Sequence, residues 1–411
     1  MLKLCSLFLG ILFLLLPTQI FASEKIWQIN SIDTMKYSRD TSRNPIVKKI
    51  IPIHVKAVAD IGANYIAIDT PYDDEFIPVM KMWVDESRKY NLHIWFRGNF
   101  SGWEGWFDYP KLTTASEHIQ KTYRFITQNP DLFKDKDIFT PAPEPEAGII
   151  GDPRQKRNLN EFNEFILDSF SNCKNAFEKI GKDVNCGIWS FNTDVARKTV
   201  YKDTIQRLGG VLAIDHYDKT PEHLIEVVKS LNKMFNAKVF LGEFGAPIPD
   251  INGVMSEKQQ ADYIDKVGQL AFENKDIICG LNYWVISGGS TTLLNDDNTP
   301  RLAVQSLKKY YDPAVISGKV VNTLGGLIEN ADAKLLGSNL KTQTNKNGEF
   351  KFVVPAQTLE IEIGNSTYKN SNKQFIASVG ANLKEDFTLE PYSPDFEYIL
   401  KSLWKKLFSI F

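Results

Sequence analysis

Within residues 25–311, short apolar runs alternate eight times with segments whose apolar residues fall at helical spacing. The runs are Ile26–Asn30, Tyr65–Asp69, His93–Phe96, Asp137–Thr140, Asn185–Ser190, Val211–Asp215, Lys238–Leu241 and Gly280–Trp284. Each is the length of a strand and too short for a helix. The helical patterns between them include Val55–Ala59, Val79–Trp83, His118–Ile126, Phe162–Ile180, Val195–Leu208, Leu224–Met234 and Gln260–Phe272, with Leu302–Tyr311 closing the set. A strand–helix repeat builds a parallel sheet, because each helix carries the chain back to the starting edge. An open, doubly wound sheet favours a glycine-rich first turn. Here that turn reads Ser31-Ile32-Asp33-Thr34-Met35 and has no glycine. Eight units in this length match a (β/α)8 TIM barrel in count and size. The expected fold class is therefore α/β, a TIM barrel followed by smaller parts.

Past Asp312-Pro313 the pattern changes to short strands. Val315–Val321, Ala331–Leu336, Lys341–Thr344, Glu349–Val354 and Thr358–Ile363 are separated by turn signals, clearest at Gly325-Gly326 and Asn345-Lys346-Asn347-Gly348. This predicts a small all-β sandwich. The segments 316–321, 330–333 and 342–350 resemble the carboxypeptidase regulatory-like β-sandwich, and that resemblance implies a fold more than an activity. In the tail, Phe396, Ile399, Leu400, Leu403, Trp404, Leu407, Phe408 and Phe411 share one helical face. Ser393 and Pro394 suit the N-cap and N1 positions. Glu397, Lys401, Lys405 and Lys406 take the other face, so this amphipathic helix either docks on the protein or contacts a membrane surface.

At the other end, Lys3, the apolar run Leu7–Pro17 and Ile20-Phe21-Ala22 read as a signal peptide cleaved before Ser23. The expected localisation is secreted or cell-surface. Without Cys5, three cysteines are left, Cys173, Cys186 and Cys279. An odd, scattered set argues against a disulfide scaffold; one pair is possible, but buried thiols are the expectation. No zinc signature is present and no metal or cofactor is expected. With Lys+Arg 48 against Asp+Glu 50 there is no basic stripe for a nucleic-acid partner.

A barrel keeps its chemistry at the carboxyl ends of its strands. Glu144 and Glu146 follow the fourth strand in Pro143-Glu144-Pro145-Glu146, and Glu243 follows the seventh in Gly242-Glu243-Phe244-Gly245. Two such carboxylates suit glycosidic bond cleavage, one as acid/base and one as nucleophile. The same rim collects Arg97, Asn99, Trp103 and Trp106 after the third strand, Asn192 after the fifth, His216 and Tyr217 after the sixth, and Trp284 at the eighth. Aromatic faces at 12% of the chain suit stacking on sugar rings. Asp73, Asp215 and Asp218 read as surface charges.

The fourth-strand Glu, Gly-Glu-Phe-Gly, Asp-His-Tyr and the eighth-strand Tyr-Trp together resemble the retaining (β/α)8 glycoside hydrolases of clan A, over about two-thirds of the chain. The resemblance implies Glu243 as nucleophile and Glu144 as acid/base, with Glu146 open as the alternative acid. It implies that Tyr217 or His216 hydrogen-bonds the nucleophile and that Trp284 floors the sugar subsite. Arg97 would pair with a catalytic carboxylate, and Asn99, Trp103 and Trp106 would line the cleft. One departure is Pro143, where the superfamily carries an Asn that touches the sugar 2-hydroxyl. Asn192 or Asn99 could take over that contact, or catalysis could be weakened. The expected organisation is a leader over 1–22, a catalytic barrel over 23–312, a sandwich over 313–390 and a tail helix over 391–411. The expected function is a secreted glycosidase cleaving β-linked poly- or oligosaccharides. A glycan-binding barrel with little catalysis and a structural scaffold are the alternatives.

Overall fold

The computed structural model describes residues 24–156, 158–393 and 396–408. Residues 1–23, Pro394 and Phe411 lie outside the described residues, as do the signal-peptide reading and the others that rest on them. Eight strands form one parallel sheet: β1 Ile29–Asp33, β2 Tyr65–Ile68, β3 His93–Phe96, β4 Ile138–Phe139, β5 Ser190–Asn192, β6 Val211–Asp215, β7 Lys238–Phe244 and β8 Ile278–Tyr283. Their order is β4-β3-β2-β1-β8-β7-β6-β5. An isolated parallel bridge between Ile138 and Asn185 brings the two edges together into a barrel.

The fifth strand differs from expectation. The run 185–190 carries only that bridge, and the ladder to β6 begins at Ser190. Asn185 Oδ1 accepts the Gly187 N–H at 2.8 Å, which turns the chain. A Cβ at Gly187 would sit 2.0 Å from the Leu208 carbonyl oxygen, so the segment presses against a neighbouring loop. The helical pattern 195–208 is also divided, into Thr193–Thr199 and Lys202–Arg207, because Val200 and Tyr201 are extended. Other helices start where the chemistry requires. Thr114 with Glu117 and Ser256 with Gln259 form capping boxes on helices Ala115–Gln128 and Glu257–Glu273.

The barrel interior is layered. Ile29, Ala67, Trp95, Ile138, Ile188, Ala213, Phe240 and Cys279 pack into one apolar plug, each from a different strand segment. Two residues further along, the same inward faces carry Asp69, Arg97, Thr140, Ser190 and Asp215. Period-two alternation thus raises a polar floor directly on the plug. Trp95 ties the layers, donating Nε1–H to Thr140 Oγ1 at 2.8 Å while its ring lies 4.9 Å from the Arg97 guanidinium carbon.

After helix Leu302–Tyr311, the chain forms two sheets. One contains β9 Ala314–Asn322, β12 Glu349–Val354, β15 Asn382–Lys384 and β16 Phe387–Leu389; the other contains β10 Asp332–Leu335, β11 Lys341–Gln343, β13 Thr358–Gly364 and β14 Ser371–Ile376. The last three strands exceed the sequence expectation. Ser371–Ile376 is mostly polar, and two others are three residues long, so neither alternation nor length marks them. A helix, Phe396–Phe408, ends the described chain. The three-thiol expectation is corrected: Cys173 and Cys186 form a disulfide, and Cys279 is free and buried in the plug.

Candidate active site

Glu243 reaches the barrel mouth through a bulge. By alternation from Phe240, the inward residue of β7 would be Gly242. The β6–β7 register shifts after Ile214, so Asp215 pairs with Glu243. The extra residue turns the Glu243 side chain inward. Gly242 permits this, since a Cβ there would stand 2.8 Å from Asp215 Oδ1. Arg97 Nη2 donates to Glu243 Oε1 at 2.8 Å and Tyr217 Oη donates to Glu243 Oε2 at 2.8 Å. Both carboxylate oxygens are therefore oriented by fixed donors. Burial, then the Glu243 charge, push the Tyr217 phenol well above its usual range, so it is a neutral donor.

Arg97 is the hub. Its side chain is 1% exposed. Nη1 binds Asp33 Oδ2 at 2.7 Å and lies 3.8 Å from Asp69 Oδ1. Nη2 also donates to Ser190 Oγ at 2.7 Å and lies 3.5 Å from Asp215 Oδ2. Ser190 Oγ in turn donates to the Asp215 carboxylate at 2.6 Å. Burial leads in raising the pKa values of Asp33, Asp69 and Asp215. Asp215 is corrected from a surface charge to a 5% exposed member of this network.

Glu144 follows β4 in a left-handed conformation, φ 47° and ψ 59°, with its N–H bonded to the Ser190 carbonyl at 3.0 Å. Asn192 Nδ2 donates to Glu144 Oε1 and to Glu146 Oε1, each at 2.9 Å. Burial raises the Glu144 pKa first, and the Glu243 charge next. Burial pushes Glu146 up to about 7, and the like charge acting on it most is Glu144. The Glu243 charge thus acts on Glu144, while the carboxylate acting on Glu146 is Glu144. Trp284 completes the mouth, its ring edge-on to Tyr217 with centroids 6.0 Å apart.

Three residues expected at the cleft sit elsewhere. Trp103 is fully buried, stacked on Phe165 at 5.1 Å and seated on Gly148, where a Cβ would meet its ring at 1.8 Å. Asn99 is fully buried, its Nδ2 donating to Glu104 Oε1 at 2.9 Å and its Oδ1 accepting the Phe100 N–H. His216 turns its ring to Asp218, 3.2 Å away, and meets Glu243 only through its backbone N–H. Of the two candidates for the Glu243 donor, Tyr217 is the one so placed. Trp106 is half-buried under the Arg39 guanidinium, 4.6 Å from its centroid.

Sequence reasoning missed Asp33, Asp69, Ser190 and Glu104. The first three could have been found by counting two or four residues along each strand from the apolar plug. Glu104 lies on the short helix Ser101–Glu104, and burial pushes its carboxyl up to about 8. No sequence pattern marks it. Among the described residues, no group of His, Cys, Asp and Glu has the geometry to hold a metal ion.

No protein-family model matches the chain, and no curated protein matches it. Solved structures do. A GH5_18 protein from Bifidobacterium longum, in complex with Manb1-4GlcNAc, aligns over 73% of this chain and 84% of its own, with TM-score 0.54 and 11% identity. A GH5_18 protein from Streptomyces cattleya, in complex with GlcNAc, aligns over 73% and 85%, with TM-score 0.51 and 12% identity. Against an FMN-binding beta-glucuronidase from Facaelibacterium prausnitzii the TM-score is 0.46 at 13% identity, and this chain spans 53% of that protein's length. At these identities the GH5_18 likenesses show what the strand order shows, an eight-stranded parallel α/β barrel.

Proposed function

We propose that the protein is a glycoside hydrolase that cleaves β-glycosidic bonds in a poly- or oligosaccharide by a retaining, two-carboxylate route. The observation that carries this reading is the pairing of Glu243, held by Arg97 and Tyr217, with Glu144, whose pKa is raised first by burial and then by the Glu243 charge. One carboxylate poised to attack and one carboxyl holding a proton are the two roles the chemistry needs. The shared fold with GH5 glycoside hydrolases bound to Manb1-4GlcNAc and GlcNAc supports it. In this scheme Glu243 attacks the anomeric carbon and Glu144 protonates the leaving oxygen. Glu144 then takes a proton from the water that releases the glycosyl-enzyme. Trp284 supplies the stacking face. Asn192 holds Glu144 from β5, where the Asn missing at Pro143 would have stood beside it.

Secretion through residues 1–22 and a positioning role for the β-sandwich, in line with its resemblance to carboxypeptidase regulatory-like modules, belong to the same proposal. The second reading, a glycan-binding barrel with little catalysis, draws on Pro143. The deciding experiment compares wild type with Glu243→Gln on a panel of β-linked glycans, following reducing-end release. Loss of hydrolysis by about 10³-fold or more is expected, with the β-anomer formed first by NMR. Binding without cleavage by the wild type would instead favour the second reading.

A further inference from the structure

Five large apolar side chains stand exposed on the last helix. Ile399 is 43% exposed, Leu400 41%, Leu403 53%, Trp404 62% and Leu407 63%. They recur at spacings of three and four, so they share one face of Phe396–Phe408. A single exposed leucine is ordinary; a face of five on one helix is not. The chain is fastened to the sandwich until just before this helix. Tyr392 N–H donates to the Thr367 carbonyl at 3.0 Å, and Tyr368 bridges Pro391. Among the described residues no helix is long and apolar enough to cross a membrane.

The sequence decides between occupants of that face. Lys401, Lys405 and Lys406 take the other face, against one acid, Glu397, in Phe396–Phe408, so the helix carries an excess of positive charge. Pairing with a second copy would bring like charges together. Anionic headgroups would neutralise them, and a Trp with leucines below a lysine-bearing face is the make-up of helices that lie in the lipid interface. We propose that the helix Phe396–Phe408 lies in the surface of an anionic lipid bilayer, apolar face inward, and holds the barrel there.

The test is vesicle flotation of the chain from Ser23 to Phe411, which contains every described residue. Vesicles are phosphatidylcholine alone or mixed equally with phosphatidylglycerol. Wild type should float with the mixed vesicles, and Leu403→Glu with Leu407→Glu should lower the bound fraction about tenfold or more. Lys401→Gln with Lys405→Gln and Lys406→Gln should lower it at low salt, and about 1 M salt should do the same to wild type. Sedimentation velocity and hydrolysis of any cleaved glycan report that the variants remain folded, because the changed side chains are on a terminal helix remote in sequence from the barrel. Equal flotation of wild type and the double-glutamate variant would overturn the proposal. So would a wild type that stays off both vesicles and sediments as a dimer that Leu403→Glu dissociates.

Discussion

One guanidinium, Arg97, itself 1% exposed, faces the buried Asp33, Asp69 and Asp215 and the partly exposed Glu243. Removing its charge takes away the cation that these four carboxylates share. Arg97→Met should therefore cost about 3–5 kcal/mol in urea unfolding, the range for breaking a buried ion pair, even though Met fills similar space. The Glu243 charge acts on Glu144 through space, so Glu144 reports on Glu243. In Glu243→Gln the like charge is gone, and the Glu144 carboxyl should titrate lower than in wild type by carbon-13 NMR; an unchanged titration would place Glu243 out of its reach. For wild type, kcat/KM should fall as pH rises through the raised Glu144 value, since the acid must carry its proton. Glu146 gives a stability signature. Its folded value, about 7, lies above that of an unfolded Glu. Its contribution is thus complete below the unfolded value and lost as pH rises through about 7. Glu146→Gln should gain stability relative to wild type at pH 8 more than at pH 5.

Among the elements, β7 does the most. Its bulge brings Glu243 level with Asp215, and Gly242 leaves room for the Asp215 carboxylate. Gly242→Ala should lose about 1–3 kcal/mol of stability through overpacking and lower kcat/KM by about 10²-fold through misplacement of Glu243. The rim segment after β4 has a similar constraint, with Gly148 lying flat on the Trp103 indole. Most of the barrel strands were legible from apolar runs, because a buried parallel strand needs a continuous apolar stretch; the first begins three residues late, at Ile29. The fifth was displaced because Asn185 bonds to Gly187 instead of continuing a ladder. Trp103 and Asn99 read as cleft residues because a loop after a strand end has no periodicity to say which side chains fold under it. Here Phe165 and Glu104 claim them.

For the whole molecule, the Cys173–Cys186 disulfide closes a short loop between helix Leu159–Lys179 and the segment that approaches β5. Reducing it should lower unfolding free energy by about 2–3 kcal/mol, from the entropy returned to the unfolded chain, as read from urea curves with and without reductant. By itself the sequence determined the order of the barrel's strands and helices, the barrel class and the standing of Glu144 and Glu243 at the ends of β4 and β7. Those depend on local periodicity and on a topology in which every strand ends at the same rim. Only the tertiary structure decided that Arg97 gathers residues from β1, the end of β2, β5, β6 and β7, that the side chain of Tyr217 and not that of His216 meets Glu243, and that Asn192 serves both Glu144 and Glu146. Such meetings depend on the stagger of strands around the barrel and on one bulge, and neither leaves a spacing in the chain.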